Sequence, residues 1–238
     1  MRLFLYGMTL FVLSTVVPCV AKASSWSVSP TRFELIAPNV ASVMTLRNNG
    51  KDPVNVQIRV FRWSQINGVE RLEPTTDVVA SPPATRVTPF NEYLVRLVRV
   101  TKKPVVAEES YRLLVDELPR PAQSADGVID FTVRFSVPVF FKSPDAAGSR
   151  ISWSIRQTKQ GLVLAATNTG SSKLRLSDVE IVQGERIIVK LNELAGYVLG
   201  GATMEFPLDN AKPLGAGPVK LKAQSDAGAI EANVSVRN

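Results

Sequence analysis

The 238-residue chain contains no histidine. That absence removes Ser–His and Cys–His nucleophile pairs and the commonest zinc ligands. Cysteine is nearly missing as well: Cys19 stands alone, so no intramolecular disulfide is possible and any fold must be held by its cores. Neither a Gly-x-Gly-x-x-Gly nor a Gly-x-x-x-x-Gly-Lys-Ser/Thr signature occurs, which argues against a nucleotide-dependent activity. No run of lysine and arginine is interleaved with aromatics, so nucleic acid is not an expected partner. The neighbouring carboxylates Glu108–Glu109 and Asp116–Glu117 make no acid–base dyad by spacing, because adjacent residues on a strand point to opposite faces. No catalytic residue, metal site or cofactor is expected. Helical periodicity is also lacking, and only LNELAGYVLGG (191–201) has room for a helical turn.

What is present begins with an export segment. Arg2 forms a basic n-region, residues 3–17 an apolar stretch, and Ala21-Lys22-Ala23 a small-x-small cleavage site. The stretch is short for a membrane span and no stop-transfer pattern follows, so stable membrane insertion is not expected. The residues before Cys19 (VVP) are not the small ones that usually precede a lipidated cysteine. Cleavage after Ala23 leaves 215 of the 238 residues, enough for two domains. Loss of Arg2 and Lys22 lowers the formal net charge from +7 to +5.

The remainder alternates between short strand-like runs and turn residues, such as VNVQIRVFRW (54–63), YLVRLVRV (93–100), LVLAATN (162–168) and AIEANVSV (229–236). About fourteen such runs predict an all-β chain of two sandwiches, and the Pro-, Gly- and Ser-containing stretch SPDAAGSR (143–150) places the break between them. The expected domains are therefore residues 24–143 and 144–238. One run stands out. VIDFTVRFSVPVFF (128–141) alternates with Ile129, Phe131, Val133, Phe135 and Val137 on one side, then becomes wholly apolar. Extended, it would span about 46 Å, more than one small sheet requires. It is either a central core strand or a strand partly offered to another molecule.

At VVASPPATRVTPFNEYLVRL (78–97) the sequence resembles the PapD-like periplasmic chaperones of chaperone–usher pilus assembly, which carry a comparable double-proline motif ending in Val-Arg-Leu. The resemblance continues in SVSPTRFEL (27–35), TLRNNGKDPVNVQIRVFRW (45–63), EESYRLLVDELP (108–119) and VIDFTVRFSVPVFFKSP (128–144). It implies two immunoglobulin-like domains set in an L. It further implies that the long strand completes pilus subunits lacking their own last strand, by β-augmentation, before delivery to an outer-membrane usher. Ile129, Phe131, Val133 and Phe135 fall on the donating positions. The resemblance also implies self-capping of the exposed edge until a subunit arrives, and an interdomain ionic contact on Glu109, Lys142 and Asp226, with lysine in place of the family's arginine. Arg32 falls on the arginine that anchors the subunit's terminal carboxylate.

The chain departs from the family at the second anchoring base, where Pro138 replaces a lysine; Arg86 and Arg134 are the candidates to substitute for it. NTGSSK (168–173) stands in place of the family's Asn-Pro-Thr-Pro-Tyr, and the loop PRPAQSADG (119–127) is short. These differences suggest a divergent, archaic-type branch. The competing reading is a structural surface protein, such as a pilin, an adhesin or a glycan-binding double sandwich using Trp26, Trp63 or Trp153. A pilin, however, would carry its alternating extension at the free N-terminus rather than mid-chain. The export reading predicts that N-terminal sequencing of secreted material begins at Ser24; a start at Met1, or an acylated Cys19, would overturn it.

Overall fold

Residues 25–119 and 131–237 are described by the computed structural model. The export segment with Cys19, and Ile129 of the long run, lie outside them. The first half holds ten strands: β1 (Trp26–Ser29), β2 (Phe33–Ile36), β3 (Ala41–Asn48), β4 (Val54–Ile66), β5 (Val69–Pro74), β6 (Val78–Ser81), β7 (Ala84–Val87), β8 (Glu92–Arg99), β9 (Glu108–Glu117) and β10 (Arg134–Lys142). The second holds β11 (Ile151–Thr158), β12 (Gly161–Asn168), β13 (Leu174–Gln183), β14 (Arg186–Val198), β15 (Thr203–Leu208), β16 (Val219–Ser225) and β17 (Gly228–Arg237). The all-β expectation holds, with more strands than the patterning suggested. The N-terminal run divides into β1 and β2, the double-proline stretch into β6 and β7, and the fully exposed VERLEP forms β5 beyond the reach of the core.

In the first half, a four-stranded sheet ordered β1-β3-β8-β6 faces a six-stranded sheet ordered β2-β10-β9-β4-β5, with β7 added to β4. Alternation places Met44, Leu46, Val56, Val95, Leu97, Tyr111, Leu113, Val115 and Val139 in the space between the sheets, all of them fully buried. Residues 25–36 serve both sheets. β1 runs antiparallel to β3, the chain crosses over at residues 30–32, and β2 then runs parallel to β10 with Phe33 opposite Val139. As a result, β2 covers only residues 139–142 of β10.

The second half forms one folded-over path, β14-β13-β16-β17-β11-β12-β15, around a core that includes Ile155, Leu164, Leu176, Ile181 and Leu221. Its two ends approach each other at Gly196, where φ is 147° and a Cβ would lie 3.1 Å from the Phe206 ring. The helical turn allowed for residues 191–201 is not formed: this stretch runs into β14. Register shifts around Ser177, opposite a positive φ at Glu193, break the period-two pattern and explain why it did not read as a strand.

The two halves share a third apolar cluster of Trp63 and Phe140 from the first with Tyr197 and Leu199 from the second. Trp63 meets the Tyr197 ring edge-on at 5.5 Å between centroids. The Gln65 side chain donates to the Tyr197 carbonyl (2.8 Å) and accepts from the Leu199 amide (2.9 Å). At the tip of the β4–β5 hairpin, the Glu205 amide donates to the Gly68 carbonyl at 3.2 Å. The apolar end of the long run is thereby explained: Phe141 enters the first core while Phe140, pointing the other way, seals the junction. Trp26, Trp63 and Trp153 are 6%, 2% and 6% exposed, which removes the surface stacking that a glycan-binding reading needs. Phe140→Ala should cost on the order of 3 kcal/mol. Calorimetry should show a lower melting point with the halves beginning to unfold separately; an unchanged single transition would show that the cluster does not couple them.

Candidate functional site

The spine of the site is β10. Along its alternating apolar row, exposure falls steadily. Phe131 is 71% exposed, Val133 and Phe135 are half-buried, and Val137, Val139 and Phe141 are buried. Phe135 packs edge-on against Trp26 with centroids 4.7 Å apart, and the Trp26 indole N–H donates to Glu117 Oε2 at 2.9 Å. Pairing with β9 reaches back to Val133, whose carbonyl accepts from the Glu117 amide at 2.9 Å. The donating row expected over 128–141 is thus a row whose far end leaves the core; Ile129 lies outside the described residues.

The backbone edge follows from the same register. Val133 turns its carbonyl toward β9, so Arg134, Ser136 and Pro138 turn their backbone groups the other way. Lys142 obeys the same parity, its carbonyl accepting from the Ala37 amide on the opposite side at 2.9 Å. Because β2 begins only opposite Val139, residues 134–138 present an edge that no described strand pairs. Pro138 fits there because its missing N–H faces a side where no described strand needs it.

This edge runs into a cleft of about 680 Å³ between the two halves, lined by Pro30, Thr31, Arg32, Arg112, Ser136 and Pro138 from one and Arg175, Leu194, Tyr197 and Asp226 from the other. Three guanidinium groups face one carboxylate. Arg32 donates from Nη1 to Asp226 Oδ1 (3.0 Å) and Oδ2 (3.1 Å), with Nε 3.2 Å from Glu34. The Arg112 guanidinium lies 3.7 Å from the Trp63 ring centroid and 3.3 Å from Glu70 Oε1. Arg175 forms no ion pair among the described residues.

The expected second bases do not join Arg32. Arg86 sits exposed on β7 opposite Asn55, about 23 Å along β4 from the row that carries Phe33. Arg134 is bound to Asp116, which also accepts from Arg59 at 2.7 Å. The residues brought to Arg32 instead are Arg112 and Arg175. Arg112 is the cross-strand partner of Pro138, so positive charge absent at Pro138 is present one strand away. That register is the signal that would have found it; nothing local in the sequence marks Arg175.

The expected meeting of Glu109, Lys142 and Asp226 is not formed. Glu109 is held within the first half by Arg99 (Nε and Nη2, each 2.8 Å) and by the Tyr111 hydroxyl (3.0 Å). Asp226 belongs to Arg32, and Lys142 makes no ion pair among the described residues. The contact across the junction uses the neighbouring Glu108, which accepts from the Lys173 amide at 2.8 Å and lies 3.5 Å from its Nζ. Lys173 Nζ also pairs with Glu34 at 3.0 Å and sits 4.2 Å from the Phe140 ring centroid. Strand parity decides between the two glutamates, sending Glu108 to the junction and Glu109 away from it. Among the described residues no group of His, Cys, Asp and Glu could hold a metal ion, and no helix is long and apolar enough to cross a membrane.

Comparison with known proteins finds the same architecture. Residues 25–147 match the family described as pili and flagellar-assembly chaperone, PapD N-terminal domain. The chaperone in the CsuC–CsuE chaperone–tip adhesion subunit complex, from archaic Csu pili of Acinetobacter baumannii, aligns with a TM-score of 0.69 at 24% identity, covering 90% of this chain and 99% of that one. The SafB chaperone–SafA pilin complex of Salmonella enterica gives 0.61 at 16% identity, covering 90% and 98%. The Escherichia coli chaperone DraB gives 0.59 at 19% identity, covering 90% and 97%. These likenesses establish the fold of two immunoglobulin-like sandwiches. No curated protein sequence matches the chain.

The division of the glutamates is testable. Burial would push the Glu109 carboxyl up, but hydrogen bonds from Arg99 and Tyr111 outweigh it and hold the group below its usual range. A carboxylate depressed in the folded state stabilises above its unfolded pKa and loses that contribution as pH falls through the folded value. Glu109→Gln should therefore flatten the loss of stability below about pH 4.3, measured by urea unfolding at several pH values. Glu108→Gln should instead loosen the junction, seen as faster proteolysis at residues 143–150. Exchange of these two phenotypes would restore Glu109 to the interdomain contact.

Proposed function

The chain belongs to the PapD family of pili and flagellar-assembly chaperones, and from that membership we propose that it caps pilus subunits by lending them β10. The observation that supports this reading most directly is the edge of residues 134–138 that no described strand pairs, preceded by the exposed Phe131 just before β10. A subunit lacking its final strand has an open groove and a free backbone edge of its own. Phe131, Val133 and Phe135 would fill the groove, while the backbone groups of Arg134 and Ser136 pair with the subunit's terminal strand. With its carboxyl end in the cleft, that strand must run parallel to β10. Arg32 then binds the terminal carboxylate, and Arg112 takes the place of the base missing at Pro138.

The reading requires no catalysis. It places the protein in the periplasm after export and has it deliver each subunit to an outer-membrane usher. An unpaired edge beside an exposed apolar row invites aggregation, so a second copy of the chain is the natural cap while no subunit is present.

The decisive experiment separates donated side chains from core ones. Phe131→Ser with Val133→Ser removes apolar groups that are largely outside the core, each contributing about 1.5–3 kcal/mol when buried by a partner. The double variant should keep a near-wild-type melting point yet lose more than about a hundredfold in affinity for a co-expressed pilus subunit. Val137→Ser, at a buried position, should instead unfold the first domain. Normal subunit recovery by a folded Phe131/Val133 variant would rule out donation by this row.

A further inference from the structure

We infer that Arg175, on β13 of the second domain, is a direct ligand of the subunit's terminal carboxylate, so that subunit capture is a clamp closed from both domains. The inference rests on the cleft reading given above and extends it to a residue in the other half of the molecule.

Arg175 carries a charge that no described acid offsets. The cleft lining carries three arginines and one aspartate, and Glu34 and Glu70 meet two of those arginines from beside it. Arg32 is largely engaged, with Asp226 on Nη1 and Glu34 on Nε. The Arg112 side chain is 14% exposed and stacks against Trp63, with Glu70 at its edge. Arg175 alone has no acidic partner among the described residues, although it lines the same cavity. A guanidinium without an acid attracts an anion more strongly in a partly enclosed cleft than at an open surface. An incoming carboxylate supplies the planar, bidentate acceptor that such a guanidinium fits.

Arg175 is also held in place. Its ladder partner is Tyr197, whose carbonyl is bound by Gln65 of the first domain and whose ring packs on Trp63. Two residues before it, Lys173 is tied to Glu108 and Glu34. The position of Arg175 relative to Arg32 is therefore set by the domain junction rather than by a long free loop. Loss of either domain's arginine should weaken recognition of the carboxylate while leaving the strand edge intact.

The test uses the full mature chain and a short synthetic peptide of alternating valine and threonine, prepared with a free C-terminal carboxylate and as the C-terminal amide. Calorimetric titration gives the preference for acid over amide. Arg175→Ala and Arg175→Gln should reduce that preference about tenfold, the scale of one charge-assisted hydrogen bond. Amide affinity should be unchanged, and Arg175→Lys should recover part of the loss. If Arg32→Ala removes the preference while Arg175→Ala leaves it at the wild-type value, the role of Arg175 is wrong and the cleft reading stands. If none of Arg32→Ala, Arg112→Ala and Arg175→Ala changes it, the cleft does not bind the carboxylate and both fall. Equal loss of acid and amide binding in Arg175→Ala would also overturn the inference, since it would mark a general effect on the edge.

Discussion

The shortness of β2 governs the rest of this structure. By giving its first four strand residues to one sheet and its next four to the other, the N-terminal segment closes the sandwich while covering only residues 139–142 of β10. A β2 extended by one further turn of the pleat would satisfy the backbone of Pro138 and Ser136 and leave no place for a partner strand. Incomplete pairing is ordinarily a liability in a β-protein. Here it coincides with the point at which the apolar row of β10 begins to leave the core, so the backbone edge and the side chains that would seat it are exposed together.

The cleft depends on the same geometry. The open edge ends where the two domains meet, and the junction is built so that it cannot be apolar throughout. Trp63, Phe140, Tyr197 and Leu199 exclude water from its centre. Gln65 satisfies the main chain of Tyr197 and Leu199, where an unpaired buried group would be costly. Around this dry centre the charges divide into two sets. Glu108 and Glu34 share Lys173 across the junction, whereas in the cleft Arg32 and Arg112 have acidic partners and Arg175 has none among the described residues. The first set holds the domains in register, and the second leaves an attraction for an anion at the end of the open edge.

Both sets rest on strand parity. In β9, Glu108 and Glu109 differ by one position, yet one reaches the second domain and the other is enclosed by Arg99 and Tyr111. In β10, Phe140 and Phe141 divide in the same way between the junction and the first core. A one-residue error in reading a strand therefore exchanges a role inside one domain for a role between the two. The misassignment of Glu109 to the domain contact is an error of this kind.

Much of the architecture is written locally. Period-two alternation, turn residues and the absence of helical spacing determine an all-β chain, and the length and pattern of residues 128–141 single out the strand that matters. The double-proline stretch and its companions carry enough of the family's spacing to indicate the kind of partner. What the sequence could not determine is which distant side chains share a space. Arg86 and Arg134 are as basic as Arg112 and Arg175, but register sends Arg86 to the far end of β4 and Arg134 to Asp116. Arg112 enters the cleft because it lies opposite Pro138, and Arg175 because the second domain folds over the first. Alternation along one strand is a property of neighbours in sequence; the meeting of strands and domains depends on registers and packing between residues tens of positions apart, and only the tertiary structure decides it.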